Sequence, residues 1–140
     1  MPPYVEHANL TVRDLEEAVR FITTALPEFR IRHRGVTDGT EWVHVGTEHT
    51  YLAFTQASAR QLARAADAPD EGVGFNHVGI VVADAGAVAG ALAGAGYREG
   101  FRAEPHPHRK RIYFHDADDN EWEFVEYLAE DAALRNDYAS

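Results

Sequence analysis

The sequence predicts an α+β fold in which two tandem βαβββ modules curve into a mixed-sheet cup. Two observations carry this expectation: an internal repeat at an offset of seventy residues, and a change from alternating to helical periodicity after the first strand of each copy. VEHANLTVRDLEEAV from Val5 lies over FNHVGIVVADAGAVA from Phe75, which matches His7 with His77. EWVHVGTEHTYLAFTQ from Glu41 lies over RIYFHDADDNEWEFVE from Arg111 at the same offset and without a gap. Agreement of two separate stretches on one register points to duplication.

The first copy opens with a strand over residues 4–12, whose alternation puts Val5, His7 and Asn9 on one face and Ala8, Leu10 and Val12 on the other. Asp14 caps a helix, with Glu17 three residues later reaching back. Leu15, Ala18, Val19, Ile22 and Leu26 form its buried stripe, and Pro27 stops it. Strands over 30–35, 41–46 and 50–56 follow, separated by the turn-forming TDG and GTEH stretches. The second copy begins with a strand over 76–82 and a helix opening at Asp84. There Gly86, Gly90 and Gly94 each cost about 1 kcal/mol against alanine, unless they serve close packing of the helix on the sheet. Gly96 is a natural terminator. Strands over 97–100, 110–115 and 121–127 complete the module, the last two joined by DADDN. The organisation expected is one domain, 1–140, made of a first module over 4–56, a surface helix and linker over 57–75, a second module over 76–127 and a tail over 128–140.

Composition narrows the partners. A net charge of −10 repels a phosphate backbone, so nucleic acid is not an expected partner. No apolar run approaches the roughly 20 residues that cross a bilayer, and the N-terminus lacks a basic start followed by an apolar stretch. No membrane partner is therefore expected, and a cytoplasmic location is. The absence of cysteine excludes disulfides, thiolate metal sites and a cysteine nucleophile.

The repeat suggests where chemistry would lie. His7 and His77 hold equivalent places in equivalent strands, so pseudo-twofold packing of the copies would aim both imidazoles into one cavity. Glu123 stands in mid-strand between Trp122 and Phe124, where a carboxylate is costly to desolvate without a cation or hydrogen-bond donors. Two imidazoles and one carboxylate leave open positions on an octahedral ion, a set that suits Fe(II), Mn(II), Ni(II) or Zn(II). Ala53 is the first-copy counterpart of Glu123, which removes a fourth ligand and makes room for substrate or water. Strand parity adds Arg111, Tyr113 and His115 to the cavity, and the ungapped alignment gives Glu41 and Val43 as counterparts of Arg111 and Tyr113. Tyr113 is then a candidate donor to a substrate oxygen and Glu41 a candidate general base, the alternative being a solvated face with an Arg111–Glu41 ion pair. EPHPHRK, with His106 and His108, reads as a mobile polar loop at the cavity mouth that can also supply an acid or base.

From about Tyr4 to Tyr127 the chain resembles the vicinal oxygen chelate superfamily, which includes glyoxalase I, bleomycin-resistance proteins, fosfomycin-resistance transferases and extradiol dioxygenases. EHANLTVRDLEEAVRF with His7, NHVGIVVAD with His77, and RIYFHDADDNEWEFVEY with Glu123 carry the likeness. The resemblance implies the glyoxalase/bleomycin resistance/dihydroxybiphenyl dioxygenase fold, His7, His77 and Glu123 as ligands of one divalent ion, and a small oxygenated metabolite as substrate. It also implies a homodimer whose modules exchange between chains. The activity implied is of glyoxalase-like lyase or isomerase type, or of dioxygenase type. The alternative is a non-catalytic drug- or metabolite-binding protein like the bleomycin-resistance members, which typically lack the metal residues. Ala53 departs from the glutamate of glyoxalase I. Tyr113, ten residues before Glu123, and His106 match part of the extradiol pattern, whereas Ala117 and Asp119 replace its usual proline and glycine. HPHRKR stands where a fosfomycin enzyme has a serine-rich loop.

Overall fold

The structure is a computed structural model that describes residues 5–67 and 77–137. Expectations for Tyr4, for the linker beyond 67, for Phe75 and Asn76 and for the end of the tail lie outside the described residues. The chain divides into two compact units, Met1–Gly74 and Phe75–Ser140. The first holds β1 (His7–Val12), α1 (Leu15–Ala25), β2 (Arg30–Thr37), β3 (Thr40–Gly46), β4 (Tyr51–Gln56) and α2 (Ala59–Asp67). The second holds β5 (His77–Val81), α3 (Ala85–Gly94), β6 (Arg98–Glu99), β7 (Arg109–His115), β8 (Glu121–Tyr127) and α4 (Ala132–Arg135).

Each unit is an open four-stranded mixed sheet, in the orders β1-β4-β3-β2 and β5-β8-β7-β6. The first strand of each module runs parallel to the last, and the remaining pairs are antiparallel. Tandem βαβββ modules are therefore present as the repeat predicts.

Local chemistry explains the helices. Asp14 accepts from the Glu17 amide at 3.1 Å and Asp84 from the Ala87 amide at 2.9 Å, so both helices start at a capping aspartate. α1 buries Leu15, Ala18, Val19, Phe21, Ile22 and Ala25. Val12, Leu26, Val43, Val45, Leu52, Ala53 and Phe54 are buried with them in that unit. Each buried Val, Leu, Ile or Phe among them contributes about 1.5–3 kcal/mol by leaving water. α3 forms in spite of its three glycines because Ala85, Val88 and Leu92 bury one stripe. Gly90 and Gly94 do not serve close packing, since a Cβ at either would meet no atom of the described residues within 4 Å, and one at Gly86 would meet only the capping Asp84 carboxylate, at 3.2 Å. Gly96, at φ +89°, ends it.

The two hairpins that end the modules differ, and the ungapped repeat fails there. Asn9 pairs with Ala53 and Gly79 with Glu123, which keeps Ala53 as the counterpart of Glu123. On the other edge of the same strands His44 pairs with Ala53, whereas Tyr113 pairs with Glu123. The counterparts of Arg111 and Tyr113 are thus Trp42 and His44, not Glu41 and Val43. The cause is one additional residue between β7 and β8, where Asp119 takes φ 61°. Because side chains alternate with a period of two, that single residue moves the first-copy set to the opposite face. Glu41 shares the parity of the buried Val43 and Val45 and lies on the face opposite His7.

The longer hairpin is organised by Asp116, which is buried at 7% exposure. Its carboxylate accepts from the Asp118 and Asn120 amides, from Asn120 Nδ2 and from the indole of the fully buried Trp122 at 2.9–3.0 Å. The stretch expected to be a mobile loop is instead anchored: His106 forms an isolated bridge with Arg109, and Arg109 donates to the Arg135 and Asp137 carbonyls at the C-terminal end. Among the described residues no helix is long and apolar enough to cross a membrane.

Candidate metal centre

On β8 the alternation that buries Trp122 and Phe124 against α3's side of the sheet turns Glu121, Glu123 and Val125 to the other face. Glu123 is flanked there by Gly79 of β5 and Tyr113 of β7. Glycine at 79 keeps the neighbouring position open, since a Cβ there would lie 3.4 Å from Glu123 Oε2. The carboxylate is mostly enclosed, at 15% side-chain exposure, and both its oxygens are engaged. Oε1 accepts from the Tyr113 hydroxyl at 2.5 Å, and Oε2 faces His77 Nε2 at 3.2 Å.

Tyr113 is locked in place. It is only 5% exposed, and its ring meets His77 and Phe101 edge-on, at centroid distances of 5.8 and 5.4 Å. Phe101 is held by its amide, which donates to Glu121 Oε2 at 3.1 Å, and Gly100 donates to the Tyr113 carbonyl at 2.7 Å. Burial, the hydrogen bond to Glu123 and the charge of that carboxylate push the phenol up to about 12. Tyr113 is therefore a hydrogen-bond donor throughout the neutral range, and its proton points at Glu123.

The 3.2 Å contact between His77 and Glu123 is a hydrogen bond, and it is also close to the separation of about 3 Å between adjacent ligands bound 2.0–2.2 Å from one ion. An imidazole nitrogen and a carboxylate oxygen so placed, with the second oxygen fixed by Tyr113, fit a divalent cation. Within either unit the described residues gather no third His, Asp or Glu beside this pair. His7 stands at the start of β1 in the first unit. Its Nδ1 lies 3.1 Å from Glu6 Oε2 and its ring stacks on Tyr51 at 4.7 Å and 14°. A carboxylate on Nδ1 fixes the tautomer that presents Nε2 as a donor atom to metal. Ala53, 3% exposed, offers no ligand.

Parity reasoning from the ungapped repeat missed the residues that share the His7 face, namely Trp42, His44 and Tyr51. GTEHT and DADDN are equally long in the sequence, and the difference appears only in the pairing, where Gly46 faces Tyr51 but His115 faces Glu121. The Glu121 contact to Phe101 had no signal at all, because it depends on a loop.

The Glyoxalase/Bleomycin resistance protein/Dioxygenase superfamily description matches residues 4–124. The chain belongs to this superfamily. No curated protein matches it. Among solved structures, a glyoxalase/bleomycin resistance protein/dioxygenase domain from Frankia sp. EAN1pec superposes with a TM-score of 0.71 at 22% identity, covering 91% of this chain and 99% of that one. The trypanothione-dependent glyoxalase I of Leishmania major gives 0.69 at 16% identity, covering 89% and 87%. The fosfomycin resistance protein FosX of Mesorhizobium loti gives 0.66 at 18% identity, covering 96% and 98%. At these identities the likeness establishes the fold, which this superfamily member shares with proteins of different chemistry.

Proposed function

We propose that this superfamily member is a divalent-metal-dependent enzyme acting on a small oxygenated substrate, with His7, His77 and Glu123 as the metal ligands. The observation that supports this most directly is the Tyr113–Glu123–His77 cluster: a mostly enclosed carboxylate held by one hydroxyl and aimed at an imidazole. Fe(II), Mn(II), Ni(II) and Zn(II) all accept this donor set, and a bound ion would supply Lewis-acid stabilisation to an oxyanion developing on the substrate. His7 completes the set either within the chain or across a homodimer whose modules exchange.

The chain's own residues then have separate tasks. Tyr113 orients Glu123 by holding Oε1, which leaves Oε2 toward His77. Glu6 orients His7. Ala53 leaves space where a fourth protein ligand would otherwise exclude substrate. Glu41 lies on the opposite face of its sheet and takes no part. The hydroxyl of Tyr113 is committed to Glu123, so any donation to substrate oxygen requires that bond to be exchanged.

Elemental analysis of protein purified without added metal tests the proposal, together with Glu123→Ala, His77→Ala and His7→Ala. Stoichiometric metal that is lost in all three variants is the expected result. Metal content that the three substitutions leave unchanged would overturn the ligand set, and a metal-free protein that takes up none of the four ions would favour the non-catalytic binding role instead.

A further inference from the structure

The first unit carries a row of rings on one face, of which the proposed metal centre uses only His7. His33 and Trp42 lie with centroids 5.6 Å apart, Trp42 and His44 4.7 Å, His44 and Tyr51 4.7 Å, and Tyr51 and His7 4.7 Å. Trp42 is seated for this. It pairs with Gly35, where a Cβ would stand 2.4 Å from the indole Cζ2, so only glycine lets the ring lie across β2. Its Nε1 donates to Thr37 Oγ1 at 3.0 Å, which occupies the one polar group of the indole. His44 is held below its ordinary value by burial and then by His7, Arg32 and His33, so at neutral pH it is an uncharged flat ring.

Arg32 supplies the charge. Its guanidinium lies 4.4 Å over the Tyr51 ring. Of the other arginines on β2, Arg34 is bound to Glu16 and Arg30 donates to the Pro27 and Phe29 carbonyls. Arg32 has no carboxylate partner among the described residues, in a chain whose net charge is −10. A guanidinium stacked on a tyrosine keeps its N–H edge available for a bidentate anion. Ring row and cation are adjacent, and the row is half-buried at Trp42, His44 and Tyr51 but open at His33 and Arg32.

We propose that this face is a platform for a planar aromatic carboxylate, its ring stacked over Trp42 and His44 and its carboxylate held by Arg32. That such an acid is the substrate rests on the metal-centre proposal, through His7 at the end of the row. Binding to the platform does not.

Titration of benzoate into the full-length, chelator-stripped protein, followed by ligand-observed NMR, tests it against cyclohexanecarboxylate, which has the charge without the ring, and benzyl alcohol, which has the ring without the charge. Benzoate should bind saturably to the wild type, with both comparison compounds weaker by about fivefold or more. Arg32→Gln and Trp42→Leu should each weaken it about five- to tenfold, and Arg32→Lys, an exposed change that leaves the sheet intact, by less than Arg32→Gln. Absence of saturable binding, indifference to Arg32→Gln, or binding that appears only with added metal overturns the platform. Benzoate binding by a protein that never takes up metal upholds the platform and sinks the metal centre. Metal uptake without benzoate binding does the reverse.

Discussion

The Tyr113 hydroxyl donates to Glu123 Oε1 at 2.5 Å, so the carboxylate is positioned by a residue ten places earlier on the neighbouring strand. Removing that donor should leave the fold intact and loosen the carboxylate. Tyr113→Phe is expected to weaken metal affinity by about tenfold, the usual scale for a residue that orients a ligand. Competition against a chelating dye measures it. An unchanged affinity with a lowered melting temperature would mean that the phenol only fills space.

Asp116 should matter for stability and not for metal. Its carboxylate satisfies two amides, an Asn120 side chain and the Trp122 indole. Asp116→Ala leaves these donors without a buried acceptor and should cost about 2–4 kcal/mol in urea unfolding. A loss below 1 kcal/mol would show that the hairpin is held by other means.

Two glycine substitutions should have opposite signs. Gly35→Ala drives a Cβ into the Trp42 ring and should cost about 1–3 kcal/mol, with a change in tryptophan emission because Trp122 stays buried. Gly90→Ala adds a methyl to an open helical position and should stabilise by about 0.5–1 kcal/mol. Paired denaturant melts report both.

His44 makes stability depend on pH on the acid side. Its folded-state value lies below the ordinary 6.5, so the unfolded chain binds the proton first as pH falls. Its contribution is intact above 6.5 and is lost as pH drops through and below that value. Facing it are His7 and Glu6 at β1, Arg32 and His33 of β2, and the Tyr51 ring. Melting temperatures from pH 7.5 to 5 should fall less steeply in His44→Gln than in the wild type, and identical slopes would remove His44 from the effect.

Much of the fold was legible because its signals are local. Asp14 and Asp84 announced both helices, and alternation fixed β8 residue for residue, including the inward Trp122 and outward Glu123. Ala53 as the counterpart of Glu123 survived because β1 with β4 and β5 with β8 keep one offset. Glu41 did not, because cross-strand register depends on hairpin length, and a turn differing by one residue is invisible to an alignment that allows no gap. The row from His33 to His7 was equally hidden: its members come from four strands and meet only through pairing. His106 and Arg109 were misjudged since their partners, the Arg135 and Asp137 carbonyls, lie far along the chain.

The extra residue beside Asp119 has a genetic consequence. Recombination between the two halves of the coding sequence, joined at codons seventy apart within the third strand, would splice β7 onto β4's turn or β3 onto β8's. Every side chain on the transplanted segment would then emerge on the wrong surface of its sheet. Segments cut at that offset within the third strand are therefore not interchangeable between the modules.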